Sequence, residues 1–451
     1  MQKYRTPGIT IVTIVFLGAG LFTLLEFTKT REQIPNLSPR SGEAAASSEF
    51  LNAERAVEYF RDAFRRDPTV VKNYVVLAQL FLRESRVTGN DLEYVTKAQY
   101  LLEEALRRDP ENFDAIVTKA SMLMSMHHFE EAKEFAEKAI ARNPYNAFAY
   151  GVLCDALVEM GEYEEAVKAC GRMLSIRPDL RSYARASYLR ELHGDLHGAR
   201  EAMKLAANAG VFGHENRAWA LYNLGTLYLN EGKLDIAAYV FQGILEERPN
   251  YAYGLGGLAE VNSRRGDYAE AIELVETAYE VIPSHHFLEE LANIYRASGQ
   301  MEKARSTAVR ALEAMQQDEQ RGWHIDQEYA IFCADQELNL REALKRAQSA
   351  YERRPNNIDV LETYAWVLYK NGKAVEAVPY IERAMRLNTQ NSTLHYRAGM
   401  IYCAAGQEEE ALAHLERSLN LNPSVNAYRL EGARKMSSIL KDISFTASRV
   451  R

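Results

Sequence analysis

The sequence has few cysteines, no basic run and none of the common catalytic motifs. Only four cysteines occur in 451 residues, and none precedes Cys154. This argues against a disulfide-rich scaffold and against lipid attachment through an N-terminal cysteine. The formal net charge is −8 without clustered Lys and Arg, which excludes nucleic acid as the main partner. The chain contains no GxxxxGK[ST], no GxGxxG after a strand, no HExxH and no CxxC. We therefore expect that the protein is not an enzyme and that it has no catalytic residues and no cofactor.

Charged residues are also missing from one segment near the N-terminus. Residues 8–25 read GITIVTIVFLGAGLFTLL, eighteen residues without a charge, close to the length that crosses the hydrocarbon layer of a membrane. Lys3 and Arg5 precede the segment, whereas the basic residues that follow it are offset by glutamates. The positive-inside rule then predicts a single-pass anchor with a cytoplasmic N-terminus and an extracytoplasmic, periplasmic remainder.

A cleaved signal peptide is the competing interpretation of this segment. The apolar run is long for a signal peptide, and no small-x-small site is well placed. Gly18–Gly20 lies inside the apolar run, and Ala44–Ala46 lies too far downstream. We therefore expect residues 1–27 to be a cytoplasmic tip and transmembrane anchor, and residues 28–47 to be a polar linker.

The prolines recur with a fixed spacing. Intervals of 34 residues separate members of three series, which are Pro110, Pro144 and Pro178; Pro249 and Pro283; and Pro355, Thr389 and Pro423. Such a period is the sequence signature of a stacked helical repeat. With 47% apolar and 26% charged residues, the chain has the composition of a folded protein that buries a large core.

The residues between the prolines resemble the tetratricopeptide repeat (TPR) pattern. The unit from Ala218 to Pro249 places small residues at the eighth and twentieth positions, large apolar ones around them and a glycine at the turn. The residues that carry the resemblance in this unit are Leu224, Gly225, Tyr228, Gly232, Ala237 and Phe241. Units from Ala147 and Ser392 keep the same places. In such a unit two antiparallel helices cross closely, which requires small side chains at the crossing.

The resemblance implies an all-α fold, a right-handed superhelical solenoid of about ten TPR helix pairs after the N-terminal transmembrane helix. We expect the solenoid over residues 48–424, with a lone helix at 48–67. The expected unit starts are near residues 71, 113, 147, 180, 218, 252, 285, 324, 358 and 392. Longer loops are expected around Thr88–Leu92, at NAGVFGHEN and at QQDEQRGW. Residues 425–451 are expected to form a capping helix, to about Leu440, and a polar tail.

Clusters of reactive side chains have structural explanations. His193 and His197 have the i, i+4 spacing of a metal pair, but Gly194 and Asp195 place a turn between them, so no metal site is expected. Adjacent glutamates open second helices, where negative charge complements the helix dipole. Cys154 and Cys170 fall on facing helices of one unit. They could either form a disulfide or remain two buried free thiols, and the sequence allows both states.

Resemblance to the TPR family also selects the side chains that line the inner groove, from the first helix of each unit. Aromatic and acidic residues dominate the middle and C-terminal part of this set, a composition typical of interaction surfaces. The alternative is that several of these side chains simply pack between neighbouring first helices. The candidate partner-binding residues are Tyr188, Trp219, Tyr222, Asn223, Thr226, Asn230, Tyr253, Glu260, Arg264, Glu289, Asn293, Arg296, Glu328, Phe332, Glu362, Trp366, Tyr369 and Tyr396.

The best-known TPR ligand mode grips a C-terminal carboxylate with Lys and Asn, but Glu289, Glu328 and Glu362 occupy the corresponding fifth positions of three units. The three glutamates therefore disfavour binding of the C-terminal tail of a chaperone. They also weaken the hypothesis that the protein is a cytosol-facing organelle receptor. Two classes stay open. One is a noncatalytic membrane-anchored scaffold or adaptor that binds a partner protein or peptide, and the other is an accessory or sensor subunit of a membrane complex that binds a peptide or glycan.

Overall fold

The computed structural model describes residues 34, 36–38, 40, 48–89, 91–424 and 427–450. These residues hold 22 helices, arranged as one lone helix, ten antiparallel pairs and one final helix. The expected number of helix pairs is confirmed, and the first helix of each pair begins within three residues of the predicted start. The helices are α1 (Ser48–Arg66), α2 (Val71–Thr88), α3 (Asp91–Arg108), α4 (Phe113–Ser125), α5 (Phe129–Arg142), α6 (Ala147–Glu159), α7 (Tyr163–Ile176), α8 (Leu180–Leu192), α9 (Leu196–Ala209), α10 (Glu215–Asn230), α11 (Leu234–Glu247), α12 (Ala252–Arg265), α13 (Tyr268–Val281), α14 (His285–Ala297), α15 (Met301–Gln320), α16 (Asp326–Gln336), α17 (Leu340–Arg353), α18 (Ile358–Lys370), α19 (Ala374–Ala384), α20 (Ser392–Ala404), α21 (Glu408–Leu421) and α22 (Ala427–Val450).

The predicted transmembrane segment, residues 8–25, lies outside the described residues. Among the helices that the structure does describe, none is both long and apolar enough to cross a membrane.

The chain divides into two compact units, one of residues 1–86 and 90–115 and the other of residues 87–89 and 116–451. In the first unit, Ile34 and Leu37 from the expected linker are buried. Arg40, from the same segment, donates to both carboxylate oxygens of Glu84 at 2.8 and 2.9 Å. The backbone N–H of Ser38 donates to the Tyr94 hydroxyl at 2.8 Å. Where it is described, the expected linker is therefore packed against the helices of this unit.

Small residues set the distance between paired helices in the second unit. Phe241 on α11 is fully buried, and its ring lies between Gly225 on α10 and Gly257 on α12. A Cβ at Gly225 would lie 2.5 Å from the ring, and one at Gly257 would lie 2.4 Å from it. The sequence pointed to Ala237 as the residue facing Gly225, but the Phe241 ring makes the close contact, because an aromatic side chain spans the crossing.

Two of the three predicted long loops are largely helical. The residues QQDEQ belong to α15, which runs unbroken for 20 residues before Gly322 ends it. The extra residues near Thr88–Leu92 mostly lengthen α2 and α3 to 18 residues each. In both places residues other than Gly and Pro continue the helix. At NAGVFGHEN the helices end at Ala209 and resume at Glu215, so the predicted loop is present there.

The final helix is longer than predicted. It was expected to end near Leu440 and to be followed by a polar tail, but α22 continues to Val450. The sequence from Lys441 to Val450 contains no Gly or Pro, so nothing in it interrupts the hydrogen-bond ladder of the helix.

The second unit winds so that its coils touch one another. Asn357, before α18, donates to the backbone carbonyl of Glu159 at 3.0 Å, 198 residues earlier in the chain. The backbone N–H of Ile358 donates to the Tyr163 hydroxyl at 2.9 Å. Asn422 donates to the carbonyl of Leu229 at 3.1 Å, 193 residues earlier. We call this line of contacts the seam, and it closes the repeats on themselves after fewer than six units.

Turn glycines make the seam possible. Gly161, Gly194 and Gly232 adopt positive φ at the turns between paired helices, as expected for a glycine at this position. A Cβ at Gly161 would lie 2.3 Å from the backbone carbonyl carbon of Asn356, and one at Gly194 would lie 2.6 Å from another backbone oxygen across the seam. Later turn glycines, such as Gly372, have open space around them. At the turns between paired helices, the close glycine contacts of the seam therefore come from Gly161, Gly194 and Gly232.

Candidate functional site

The first helices of successive units line a cavity inside the second unit. Its volume is about 360 Å³. One wall comes from α10, α12 and α14, and the opposite wall from α16, α18, α20 and the loop before α20. The seam brings these walls together, because it returns the chain to the same level about 195 residues later. The groove expected from the sequence is thus a lumen with walls on two sides that is still partly open.

Ten of the 18 predicted groove residues line this cavity. The two stripes predicted to share one concavity, on α10 and α14, both contribute to its wall. The ten residues are Tyr222, Thr226, Asn230, Glu260, Arg264, Glu289, Asn293, Arg296, Trp366 and Tyr396.

The other eight predicted residues do not line the cavity. Phe332 is buried in the core, whereas Tyr188 and Trp219 are exposed. Asn223 donates to the backbone carbonyl of Trp219 at 2.8 Å, and Glu362 accepts from Arg397 at 2.7 Å. Tyr253 packs against the rings of Tyr222 and Phe287, and Tyr369 stacks on Trp366. Glu328 lies 3.3 Å from His127 across the seam. Their places depend on neighbouring units, which position in a single repeat does not specify.

A polar cluster centred on Asp335 closes one side of the cavity. Asp335 accepts from the Trp366 indole N–H at 2.8 Å, from Arg397 at 2.9 Å and from Arg429 at 3.1 Å. Burial by itself would raise the pKa of Asp335, but the two guanidinium groups and the indole N–H outweigh it and hold the pKa below its usual value. Trp366 is only 3% exposed, so it supports the wall more than it offers a contact surface.

Three other carboxyl groups on the wall have no such support. Burial raises the pKa of Glu191 to about 7, with Asp359 and Glu231 adding to the effect. Burial likewise raises the pKa of Glu289 to about 8, although His285 opposes the shift. Protein surrounds these side chains on most sides, so solvent screens their charges poorly.

Glu290 is the least satisfied of the wall carboxyls. Burial raises its pKa well above the usual value, and Glu260 adds to the shift. Its Oε1 is buried without a hydrogen-bond partner. The carboxyl group lies over Gly256, where a Cβ would stand 3.0 Å from Oε2, so the absence of a side chain on α12 makes room for it. A buried acceptor without a donor is uncommon in proteins and marks this point of the wall.

Sequence reasoning missed several wall residues. Glu290 follows the predicted Glu289 directly, and the periodicity of a first helix could have included it. Glu191, Asp335 and Arg429 come from helix ends or from α22, so they fall outside the repeat positions that were used. Gln390 reaches the cavity only through the seam. No local sequence signal marks a residue that a distant coil brings into place.

Groups that suggested other chemistry have ordinary environments. In the described part of the chain, no three His, Cys, Asp or Glu side chains are placed to hold a metal ion. His193 bonds through Nδ1 to the carbonyl of Leu189 at 2.7 Å, as a helix-end histidine commonly does. Cys154 and Cys170 are buried free thiols. Their mutual hydrogen bond raises the pKa of Cys154 and lowers that of Cys170.

Comparison with known families matches these repeats. Residues 123–190, 222–284 and 257–319 match tetratricopeptide repeat families, and residues 336–418 match the family described as anaphase-promoting complex, cyclosome, subunit 3. The chain is an all-helical solenoid of tetratricopeptide repeats. Such folds are generally noncatalytic scaffolds, which agrees with the lack of catalytic motifs.

Individual relatives are distant. The chain is 26% identical over 223 residues to the protein CTR9 homolog of Arabidopsis thaliana. The matched region covers 45% of this chain and 20% of that protein. The chain therefore spans about a fifth of the length of this relative. A thermophilic TPR protein of Thermus thermophilus is 22% identical, over 45% of this chain and all of that chain, with a TM-score of 0.37. The human IFIT1 dimer with PPP-AAAA is 16% identical, over 87% and 93% of the chains, with a TM-score of 0.44.

Proposed function

We propose that this TPR solenoid is a noncatalytic scaffold that binds a segment of a partner protein inside the lumen of its second unit. The observation that carries the proposal is the cavity of about 360 Å³, whose wall combines aromatic, amide and carboxyl side chains. Among them, Asn230 is exposed to the cavity at the end of α10. Convergent polar groups in a concave site are typical of a binding pocket.

The side chains on the cavity wall favour an extended partner segment. The wall carries amide side chains, among them Asn230 and Asn293, that can pair with a peptide backbone. An extended peptide is thinner than a helix, and it leaves backbone N–H and C=O groups free to pair with the amides of the wall. The bound part of the partner is therefore an extended segment.

The partner segment is best identified by a crosslinking reagent placed at a single position. A photoreactive amino acid at Asn230, on the cavity wall, should form an adduct with one short segment of one partner in native membranes. The matched control is the same amino acid at Tyr239, which lies on the second helix of the same unit and is 77% exposed. Equal adducts at both positions, or none at Asn230, would place the binding surface elsewhere.

We further propose that residues 8–25 anchor the protein in a membrane, with the solenoid on the extracytoplasmic side of a bacterial membrane. The support is the uncharged run itself and the basic residues before it. The full chain should remain in the membrane fraction after an alkaline wash, and protease added to spheroplasts should digest the solenoid. Release by the wash would refute the anchor, and protection from protease would refute the orientation.

A second candidate function is that of a sensor subunit that binds a small ligand. The favouring observation is that the cavity volume falls near the lower end of the range for small-molecule pockets, about 300 to 1,000 Å³. A peptide or glycan that binds the folded state raises the melting temperature, and the rise grows with the logarithm of the ligand concentration over Kd. A soluble ligand that does so, in the absence of any crosslinked protein, would favour the sensor over the scaffold.

A further inference from the structure

The ionisable groups that are left unpaired on the cavity wall are carboxyls. Four basic side chains reach the described part of the wall, and each already bonds to the protein itself. Arg264 donates to Glu260 at 2.8 Å, Lys370 donates to Glu337 at 2.6 Å, Arg429 donates to Asp335 at 3.1 Å, and Arg296 donates to the backbone carbonyl of Asp335. His286 adds no positive charge, because burial and the neighbouring His285 lower its pKa to about 4.

Three carboxyl groups on the same wall are not paired with any of these bases. The nearest cationic group to Glu289 is His285, at 3.8 Å from Nε2 to Oε1. Glu191 faces the carboxyls of Asp359 and Glu231 instead of a base. Glu290 faces Glu260, and its Oε1 is buried without a hydrogen-bond donor. The buried Oε1 of Glu290 therefore lacks a donor that a cation could supply.

We propose that the cavity recognises a lysine or arginine side chain of the extended partner segment, with the cationic group bound at Glu290 and Glu289. This inference rests on the proposed function, since it names the chemistry of the segment that the lumen binds. Glu290 supplies the buried acceptor, and Glu289 lies next to it on the same helix and the same wall. Binding of the cation gives the orphaned Oε1 its hydrogen bond and allows both carboxyls to ionise.

Amide side chains on the wall favour a peptide over a free polyamine. Asn230 and Asn293 line the cavity together with the carboxyls, and only the Oδ1 of Asn293 is engaged, by Gln336 at 2.7 Å. An amide both donates and accepts, which matches a peptide backbone. A polyamine has donors only and would leave the amide donors of the wall without acceptors. The occupant is therefore a peptide that carries a basic side chain.

Binding is tested with hexapeptide pools in which one central residue is fixed as Lys, Arg, norleucine or Glu. The full chain in detergent micelles is titrated with each labelled pool, and the fluorescence anisotropy is measured. We expect the Lys and Arg pools to bind at least about tenfold more tightly than the norleucine pool, because charge-assisted hydrogen bonds to a carboxylate are lost without the cation. The Glu pool should not bind. Equal binding of the Lys and norleucine pools, or no binding of any pool, overturns the proposal.

Variants and pH locate the cation within the cavity. Glu290→Gln and Glu289→Gln should each abolish the preference for Lys, and Glu409→Gln, on an exposed helix start, should keep it. Gln resembles the protonated carboxyl in shape, so both variants should fold. Between pH 8.5 and pH 6 the Lys pool should weaken while the norleucine pool does not, because lysine stays charged and the carboxyls take up protons. Unchanged selectivity in both variants refutes the assignment.

Two further outcomes separate this inference from the function on which it rests. If spermidine competes with the Lys pool at equal affinity, the site takes small polycations and the peptide assignment is wrong. If a partner crosslinks at Asn230 but its affinity is the same in Glu290→Gln, the scaffold function stands and the basic side chain is refuted. If nothing crosslinks at Asn230 while the Lys pool still binds selectively, the cation site stands and the scaffold function fails.

Discussion

The seam can be tested by adding one methyl group to a turn glycine. Gly161→Ala places a Cβ 2.3 Å from the backbone carbonyl carbon and oxygen of Asn356, whereas ordinary contacts are about 3.5 to 4 Å. Because these are backbone atoms, the loop has to move by about 1 Å. Gly372→Ala is the matched control, since both glycines have a φ of 77° and Gly372 has nothing within 4 Å of its Cβ position.

The expected difference between the two variants follows from the contacts at the seam. Both substitutions put alanine into the left-handed region, which costs about 1 to 2 kcal/mol. Movement of the loop in Gly161→Ala also breaks the hydrogen bonds from Asn357 to Glu159 and from Ile358 to Tyr163, at about 1 kcal/mol each. We therefore expect Gly161→Ala to lower the free energy of unfolding by about 2 kcal/mol more than Gly372→Ala.

Urea unfolding followed by circular dichroism gives the two free energies, and hydrogen exchange gives the place of the change. Amide exchange should accelerate on both sides of the seam, near Tyr163 and near Ile358, in Gly161→Ala alone. Should Gly161→Ala fail to fold, Gly194→Ala, whose Cβ would meet a backbone oxygen at 2.6 Å, replaces it. Equal destabilisation of the seam variant and the control, with unchanged exchange, would refute the seam as a stabilising contact.

Three other predictions concern packing, capping and charge. Gly225→Ala should destabilise by about 1 to 3 kcal/mol, since its Cβ would press on a buried ring, whereas Gly243→Ala in the adjacent helix meets nothing and should be neutral or stabilising in the same urea assay. Asn357→Asp keeps the acceptor that caps α18 but loses the donor to the seam, so faster exchange at the seam with intact α18 helicity is expected; unchanged exchange would contradict it. Glu289 binds its proton more tightly when folded, so it should make stability fall as pH rises from about 4.5 to about 8, by about 1 to 3 kcal/mol after allowance for water in the cavity. Glu289→Gln should reduce this pH dependence, and the part that remains comes from Glu191 and Glu290, whose pKa values are also raised. A pH dependence identical in the variant would show that another group is responsible.

Local sequence determined the helix pairs and their turns. The spacing of small and large side chains fixed each crossing, and the turn glycines were needed wherever φ is positive, as at Gly232. These features repeat because each unit packs mainly on its neighbours, so a single period predicts all ten pairs. The same local reasoning is wrong at QQDEQ, where departure from the 34-residue spacing predicts a loop although the residues themselves favour a helix.

Only part of the candidate site could be predicted from the sequence. Repeat position identified Tyr222, Asn230 and Glu289 on one wall of the cavity, because side-chain direction follows from place in a first helix. It could not identify Gln390, which a loop of a later coil brings to the cavity, or the shift of Phe332 into the core.

Only the tertiary structure decided that the groove has a second wall and which of its carboxyl groups are left unpaired. The closure depends on the small rotation between successive units, which accumulates over more than five of them before Asn357 meets Glu159. The pairing of charges depends on distances between helices that are far apart in the chain, so Asp335 holds two arginines while Glu290, equally acidic in sequence, has an oxygen without a donor. Sequence position specifies a charge, but burial and neighbours decide whether that charge is satisfied.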